Sequence, residues 1–162
     1  MERSLSNFKE VRTLPRSPEL AEIKVSYRSN QKNLIRITNS RDAFDVLFPL
    51  FDSETIEFKE EFFLLLLNRA NTVLGWFRVS SGGTGGTVVD VRIVYILALL
   101  TNASSIILGH NHPSQNLKPS EADIRITNQI KEAGKIMGIN VLDHLIISSN
   151  GSFFAFADEG II

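Results

Sequence analysis

The chain has 162 residues, 43% of them hydrophobic and eleven of them phenylalanine, which is enough for one domain with a sizeable core. Its 17 Lys and Arg against 18 Asp and Glu leave a net charge of −1, so a general electrostatic affinity for nucleic acid is excluded. Cysteine is absent, which excludes a Cys-rich structural metal site and fits a reducing compartment.

Residues 1–33 are polar and read as a basic, irregular arm, ahead of a domain spanning residues 34–162. Residues 1–41 carry a net charge of +5 and residues 42–162 a net of −6. A basic arm of this kind packs on its own acidic domain or stays solvated; binding of nucleic acid is the sharper alternative. Met1-Glu2-Arg3-Ser4 lacks the apolar stretch of a signal peptide, and no apolar run approaches the ~20 residues of a membrane helix. The expectation is a soluble, cytoplasmic protein.

Leu34 to Ile37 reads as an edge strand, and Ser40 as the cap of a helix carrying Ala43, Phe44, Leu47 and Phe48, disturbed at Pro49. Phe62 to Leu67 is an unbroken apolar run, the pattern of a strand buried on both faces. A hairpin turn over Asn68–Asn71 leads to a second strand at 72–79. Gly82-Gly83-Thr84-Gly85-Gly86 lacks the Gly-Lys-Ser/Thr ending of a phosphate loop and reads as a connector or a substrate-side loop. Asp90 caps an apolar helix over 91–103, and Ser104–Leu108 is a short strand. A helix follows over 120–137, stopped by Gly138. A strand over 139–148 and the Asn150-Gly151 turn then lead into a last strand, Phe153–Phe156.

The chemistry concentrates after the third strand, where His110, His112, Ser120 and Asp123 form the pattern H-x-H-x₇-S-x₂-D. Alternate residues of an extended segment share a side, so both imidazoles face one way, and Pro113 helps keep His112 extended. Ser120 and Asp123 admit two compatible readings. One is a capping pair that begins a helix; in the other, Asp123 is a ligand, because it falls on the buried stripe of Ile126, Ile130 and Met137. Two histidines and an aspartate leave a tetrahedral zinc one ligand short, the hallmark of a site that keeps a position for water. Such water needs a carboxylate to take and return its proton, and Glu60 and Glu61 stand at the mouth of the first buried strand. The plainer reading of both is a pair of solvated gatekeepers beside a sticky strand. His144, after Asp143, is either a core histidine bonded to a neighbour or one that orients a ligand.

These residues resemble the JAMM (MPN+, JAB-domain) metalloprotease signature at its full spacing. The surrounding words resemble the RadC-like branch: Glu60-Glu61-Phe62 to Leu67-Asn68, Gly109-His110-Asn111-His112-Pro113-Ser114, Pro119-Ser120-Glu121-Ala122-Asp123, and Leu142-Asp143-His144-Leu145-Ile146. The likeness runs over roughly residues 36–160. It implies a three-layer α/β sandwich of the JAB/MPN (cytidine-deaminase-like) kind, with a mixed central sheet flanked by helices. It also implies His110, His112 and Asp123 as zinc ligands and Glu60, rather than Glu61, as general base. Ser120 would then bond the water or stabilise an oxyanion. The reaction implied is zinc-dependent hydrolysis of a peptide or isopeptide bond in a peptide or protein substrate.

RadC-type proteins carry a helix-hairpin-helix region ahead of this domain, associated with DNA. About 35 residues precede the resemblance here, which weakens the argument for DNA and likens the chain to short members found on bacterial mobile elements. Other metal chemistries fit poorly: the Cys-x-x-Cys of zinc deaminases and the H-E-x-x-H of zincins are absent. Two functions therefore stand: the zinc hydrolase, and a non-catalytic DNA-repair- or mobile-element-associated binding module with a structural or vestigial metal. The second would bind through Arg12, Arg16, Lys24 or Arg28. A homodimer through a phenylalanine-rich edge is a further expectation.

Overall fold

A computed structural model describes residues 26–28, 34–83 and 86–162; Arg12, Arg16, Lys24 and most of the basic arm lie outside them. The architecture is a three-layer α/β sandwich. Its mixed five-stranded sheet has the order β2-β1-β3-β4-β5, formed by Val73–Ser81, Glu61–Leu67, Ser105–Asn111, Asn140–Ile147 and Phe153–Ala155 in that spatial sequence. Helix α1 (Ser40–Leu47) covers one face, and α2 (Val91–Leu100) and α3 (Glu121–Met137) cover the other.

Burial on both faces explains the uninterrupted apolar run of β1, all seven residues of which are buried. Phe63, Leu65 and Leu67 join the α1 layer with Ala43, Phe44 and Leu47. Phe62, Leu64 and Leu66 join the opposite layer with Val94, Ala98 and Ile130. β1 runs antiparallel to both β2 and β3, whereas β3 and β4 are parallel, with α3 in the crossover between them.

Local signals set the element ends. Asp90 caps α2, its side chain accepting from the Arg92 amide. Ser120 caps α3 through a full capping box with Asp123, and Gly138 ends that helix in the left-handed region at φ 67°. The cap of α1 is Asn39 rather than Ser40: Asn39 accepts from the Asp42 amide, and the Ser40 hydroxyl instead donates to Asp158. The expected edge strand at 34–37 is reduced to one bridge, Arg36 to Thr72, in which the Ile37 amide donates to the Asn71 carbonyl and the Ile35 carbonyl accepts from the Val73 amide. α2 stops at Leu100, three residues short of its expected end, where Asn102 turns left-handed at φ 52°. Pro49 sits in a 3-10 turn, Phe48–Leu50, that follows α1.

Two details position the site. Gly109, on the α1 face of β3, lies so close to α1 that a Cβ there would stand 2.7 Å from Leu47 Cδ1. In β4, Val141 pairs with Ile106 of β3 but Asp143 pairs with Ile107, so Leu142 is an extra, bulged residue. The bulge shifts the alternation and turns His144 toward α3, the side that Val141 also faces. Among the described residues, no helix is long and apolar enough to cross a membrane.

Candidate metal centre

β3 carries His110 at its end, on the α3 side of the sheet, and His112 follows one step beyond on the same side. The first turn of α3 supplies Asp123 from the facing layer. One donor atom of each lies within 4.8 Å of the others. His110 Nε2 is 3.0 Å from His112 Nε2 and 3.3 Å from Asp123 Oδ1, while His112 Nε2 is 3.5 Å from Asp123 Oδ2.

The donor set fits a small divalent cation. With bonds of about 2.0–2.1 Å, the corners of a zinc tetrahedron stand about 3.3–3.4 Å apart, close to the 3.0 and 3.3 Å that separate His110 Nε2 from His112 Nε2 and Asp123 Oδ1. Hydrogen bonding also leaves the correct atoms free. His112 Nδ1 lies 2.5 Å from the Asn116 carbonyl, which only accepts, so Nδ1 carries the proton and Nε2 presents a lone pair. Asp123 Oδ2 accepts from the Ser120 amide and the Ser120 hydroxyl, each at 2.7 Å, which leaves Oδ1 on the histidine side. His112 Nε2 and Asp123 Oδ1 thus face His110 Nε2, an arrangement that calls for a cation or a proton among them.

The electrostatics agree. Burial acts to raise the Asp123 carboxyl, but the close approach of His110 and His112, the charge of His110 and the Ser120 hydroxyl outweigh it and hold it far below the usual carboxylate range. For His112, burial acts to lower the imidazole, yet the Asp123 carboxylate, the Asn116 carbonyl and the charge of Glu60 raise it on balance.

Glu60 and Glu61 separate as alternation requires. Glu60 lines the same cleft as His112, Ser120 and Asp123, a groove of about 670 Å³. Its carboxyl is pushed up chiefly by burial, opposed by the charges of His110 and His112. Glu61 points to the other side, where its Oε1 pairs with Lys59 Nζ at 3.0 Å and Arg78 Nη1 at 2.8 Å. The backbone of Glu60 is pinned to the glycine-rich loop: its amide donates to Gly83 and its carbonyl accepts from Gly82. Gly82 must lack a Cβ, because one would lie 2.3 Å from the Gly86 carbonyl. Gly86, Thr87, Val88 and Val89 then form one wall of the cleft.

Thus Glu60, His110, His112, Ser120 and Asp123 gather at one place. Ser120 does so by gripping the Asp123 carboxylate. Sequence reasoning overlooked Asn111, Asn116 and Thr127. Asn111 carried a signal, being a poor strand former between two histidines. Thr127 carried another: it stands one helical turn after Asp123 and so shares its face.

The RadC-like JAB domain profile matches residues 37–161, well over half of the chain. The chain belongs to the RadC-like JAB domain family. Among relatives of this RadC-like chain, a UPF0758 protein of Flavobacterium johnsoniae is 46% identical over 128 residues, covering 79% of this chain and 54% of the relative. A UPF0758 protein of Porphyromonas gingivalis is 40% identical over 126 residues, covering 78% of this chain and 54% of its own length. One from Salinibacter ruber is 41% identical over 139 residues, covering 86% and 58%. The RadC-like chain therefore spans little more than half the length of these curated relatives.

Proposed function

We propose that the cleft is the active site of a zinc-dependent hydrolase that cleaves an amide bond, peptide or isopeptide, in a peptide or protein. The observation that carries this reading is the gathering of one donor atom each from His110, His112 and Asp123, beside a half-buried Glu60 carboxyl that forms no Lys or Arg ion pair among the described residues.

His110 Nε2, His112 Nε2 and Asp123 Oδ1 would hold the ion, with a position left for water. A bound zinc supplies Lewis acidity, lowering the pKa of its water to about 7 and polarising a scissile carbonyl. Glu60 acts as general base: it takes a proton from the attacking water and returns it to the leaving nitrogen, so the amide C–N bond breaks as the new C–O bond forms. Burial suits Glu60 to both steps, because a raised carboxyl is a stronger base toward the water and keeps the proton it takes until the leaving nitrogen receives it. Ser120 keeps Asp123 aimed at the ion and itself lines the cleft. An extended chain would lie between the 86–89 wall and the Pro113–Pro119 side.

Metal content per chain, with turnover on a quenched-fluorescent peptide library, tests the reading. The native chain should carry about one zinc, Asp123→Ala should lose it while keeping the fold, and Glu60→Gln should keep metal and fold but lose cleavage. A native chain that takes up no zinc, or cleavage that Glu60→Gln leaves intact, would sink the proposal and leave a binding module.

A further inference from the structure

His144 is fully buried on β4, packed between Phe62 and Phe156. Its ring continues a chain of hydrogen bonds that begins on α3. Thr127 Oγ1 lies 2.6 Å from the Asp123 carbonyl and 2.6 Å from His144 Nδ1, and His144 Nε2 lies 2.8 Å from His110 Nδ1. The directions of these bonds can be assigned one at a time. A carbonyl only accepts, so at 2.6 Å the Thr127 hydroxyl proton must point at Asp123. Thr127 Oγ1 is then left to accept, and the proton between it and His144 sits on Nδ1. A neutral imidazole has one N–H, so His144 Nε2 accepts from His110 Nδ1–H. That places the remaining lone pair of His110 on Nε2, facing His112 and Asp123.

We propose that Thr127 and His144 are positioning residues that hold His110 in the tautomer able to bind the metal, with its proton on Nδ1 and its lone pair on Nε2. This rests on the metal reading above and extends it beyond the three ligands. The opposite order of protons would put N–H on His110 Nε2 and close the site to a cation, so the chain works as a selector between two tautomers. Its fixed end is the carbonyl of Asp123 itself, so the residue that supplies the carboxylate also sets the proton order of the facing ligand. Partners of this kind orient a ligand's ring and raise its basicity.

Thr127→Val keeps the shape of the side chain but removes the hydroxyl, and Thr127→Ser restores it. In competition with a chromogenic zinc chelator, Thr127→Val should bind zinc about 10–100-fold more weakly than the native chain, and Thr127→Ser should recover most of the loss. Two-bond proton–nitrogen couplings of ¹⁵N-labelled histidines report which ring nitrogen is protonated, a readout that a packing role would not move. They should place the His144 proton on Nδ1 in the native chain. Zinc uptake by the native chain that Thr127→Val matches, or a His144 proton found on Nε2, would overturn this inference alone. No zinc uptake by the native chain would overturn the metal reading and this inference with it. Circular dichroism of both variants separates misfolding from loss of the bond, and a folded Thr127→Ser with native affinity keeps the comparison valid if Thr127→Val does not fold.

Discussion

Between the two histidines, Asn111 faces the α1 layer and commits its whole amide to the segment that carries Glu60. Its Oδ1 accepts from the Glu61 amide at 2.8 Å, and its Nδ2 donates to the carbonyls of Ile56 at 2.6 Å and Lys59 at 2.8 Å. Successive residues at the end of β3 thus serve the two halves of the proposed site, His110 and His112 facing the candidate metal position and Asn111 holding the segment of Glu60, the proposed base. Asn111→Ala would strand three backbone groups in a buried place and should cost on the order of 3 kcal/mol in a urea melt. Turnover should fall further than zinc affinity, since Glu60 rather than the ligands loses its support. Equal losses in the two would show that Asn111 acts on the fold alone. Of the residues at this scale, the candidate ligands were legible because histidine and aspartate announce themselves by spacing. Asn111 and Thr127 were not, because an amide or hydroxyl bonded to backbone looks the same in sequence as one facing water.

Helix α3 carries a glycine in its interior where propensity favours almost anything else. Gly134 is there because α2 and the turn after α3 approach it: a Cβ would stand 2.3 Å from the Ile139 carbonyl and 2.7 Å from the Tyr95 hydroxyl. That hydroxyl bonds the Ile130 carbonyl, and with burial its pKa is pushed up to about 12. Propensity alone says Gly134→Ala should gain about 1 kcal/mol. Overpacking against a backbone oxygen costs about 1–3 kcal/mol, and relief would require α3 to move off the sheet. The expected result is a net loss in thermal or urea unfolding; a more stable variant would mean that this end of α3 is loosely packed. Elements were read well where pattern and packing agree, as in β1, whose run of leucines was bound to be covered on both sides, and in α3, bounded by Ser120 and Gly138. They were read poorly where two residues competed for one task. Asn39 took the cap of α1 because Ser40 is drawn to Asp158, a partner 118 residues away that no local rule can see.

At the scale of the molecule, the candidate ligands join β3 to α3 across the sandwich, and the Thr127–His144 chain adds β4. A metal bound only by the folded state stabilises by about 2.7 kcal/mol at a hundred times its dissociation constant, which for a domain of this size is a rise in Tm on the order of 5–10 °C. Differential scanning fluorimetry with zinc, then with excess chelator, should show that rise and its reversal, and Asp123→Ala should show neither. A native Tm indifferent to both would disconnect the site from the fold. The sandwich itself was legible as an order of elements, but the phase of β4 was not, because Leu142 looks like any other strand residue until its pairing is known. That bulge leaves β4 with two registers against β3, one residue apart and far from equivalent. Paired flat from its Asn140 end, the strand would turn Asp143 and Leu145 toward α3 and His144 toward α1. A nascent chain that zips up in that frame buries a carboxyl where an imidazole belongs and must unzip before going on. Pairing that starts from the Ile147 half delivers His144 to Thr127 directly, so the order in which this one strand forms its bonds sets how direct the route to the completed sheet is.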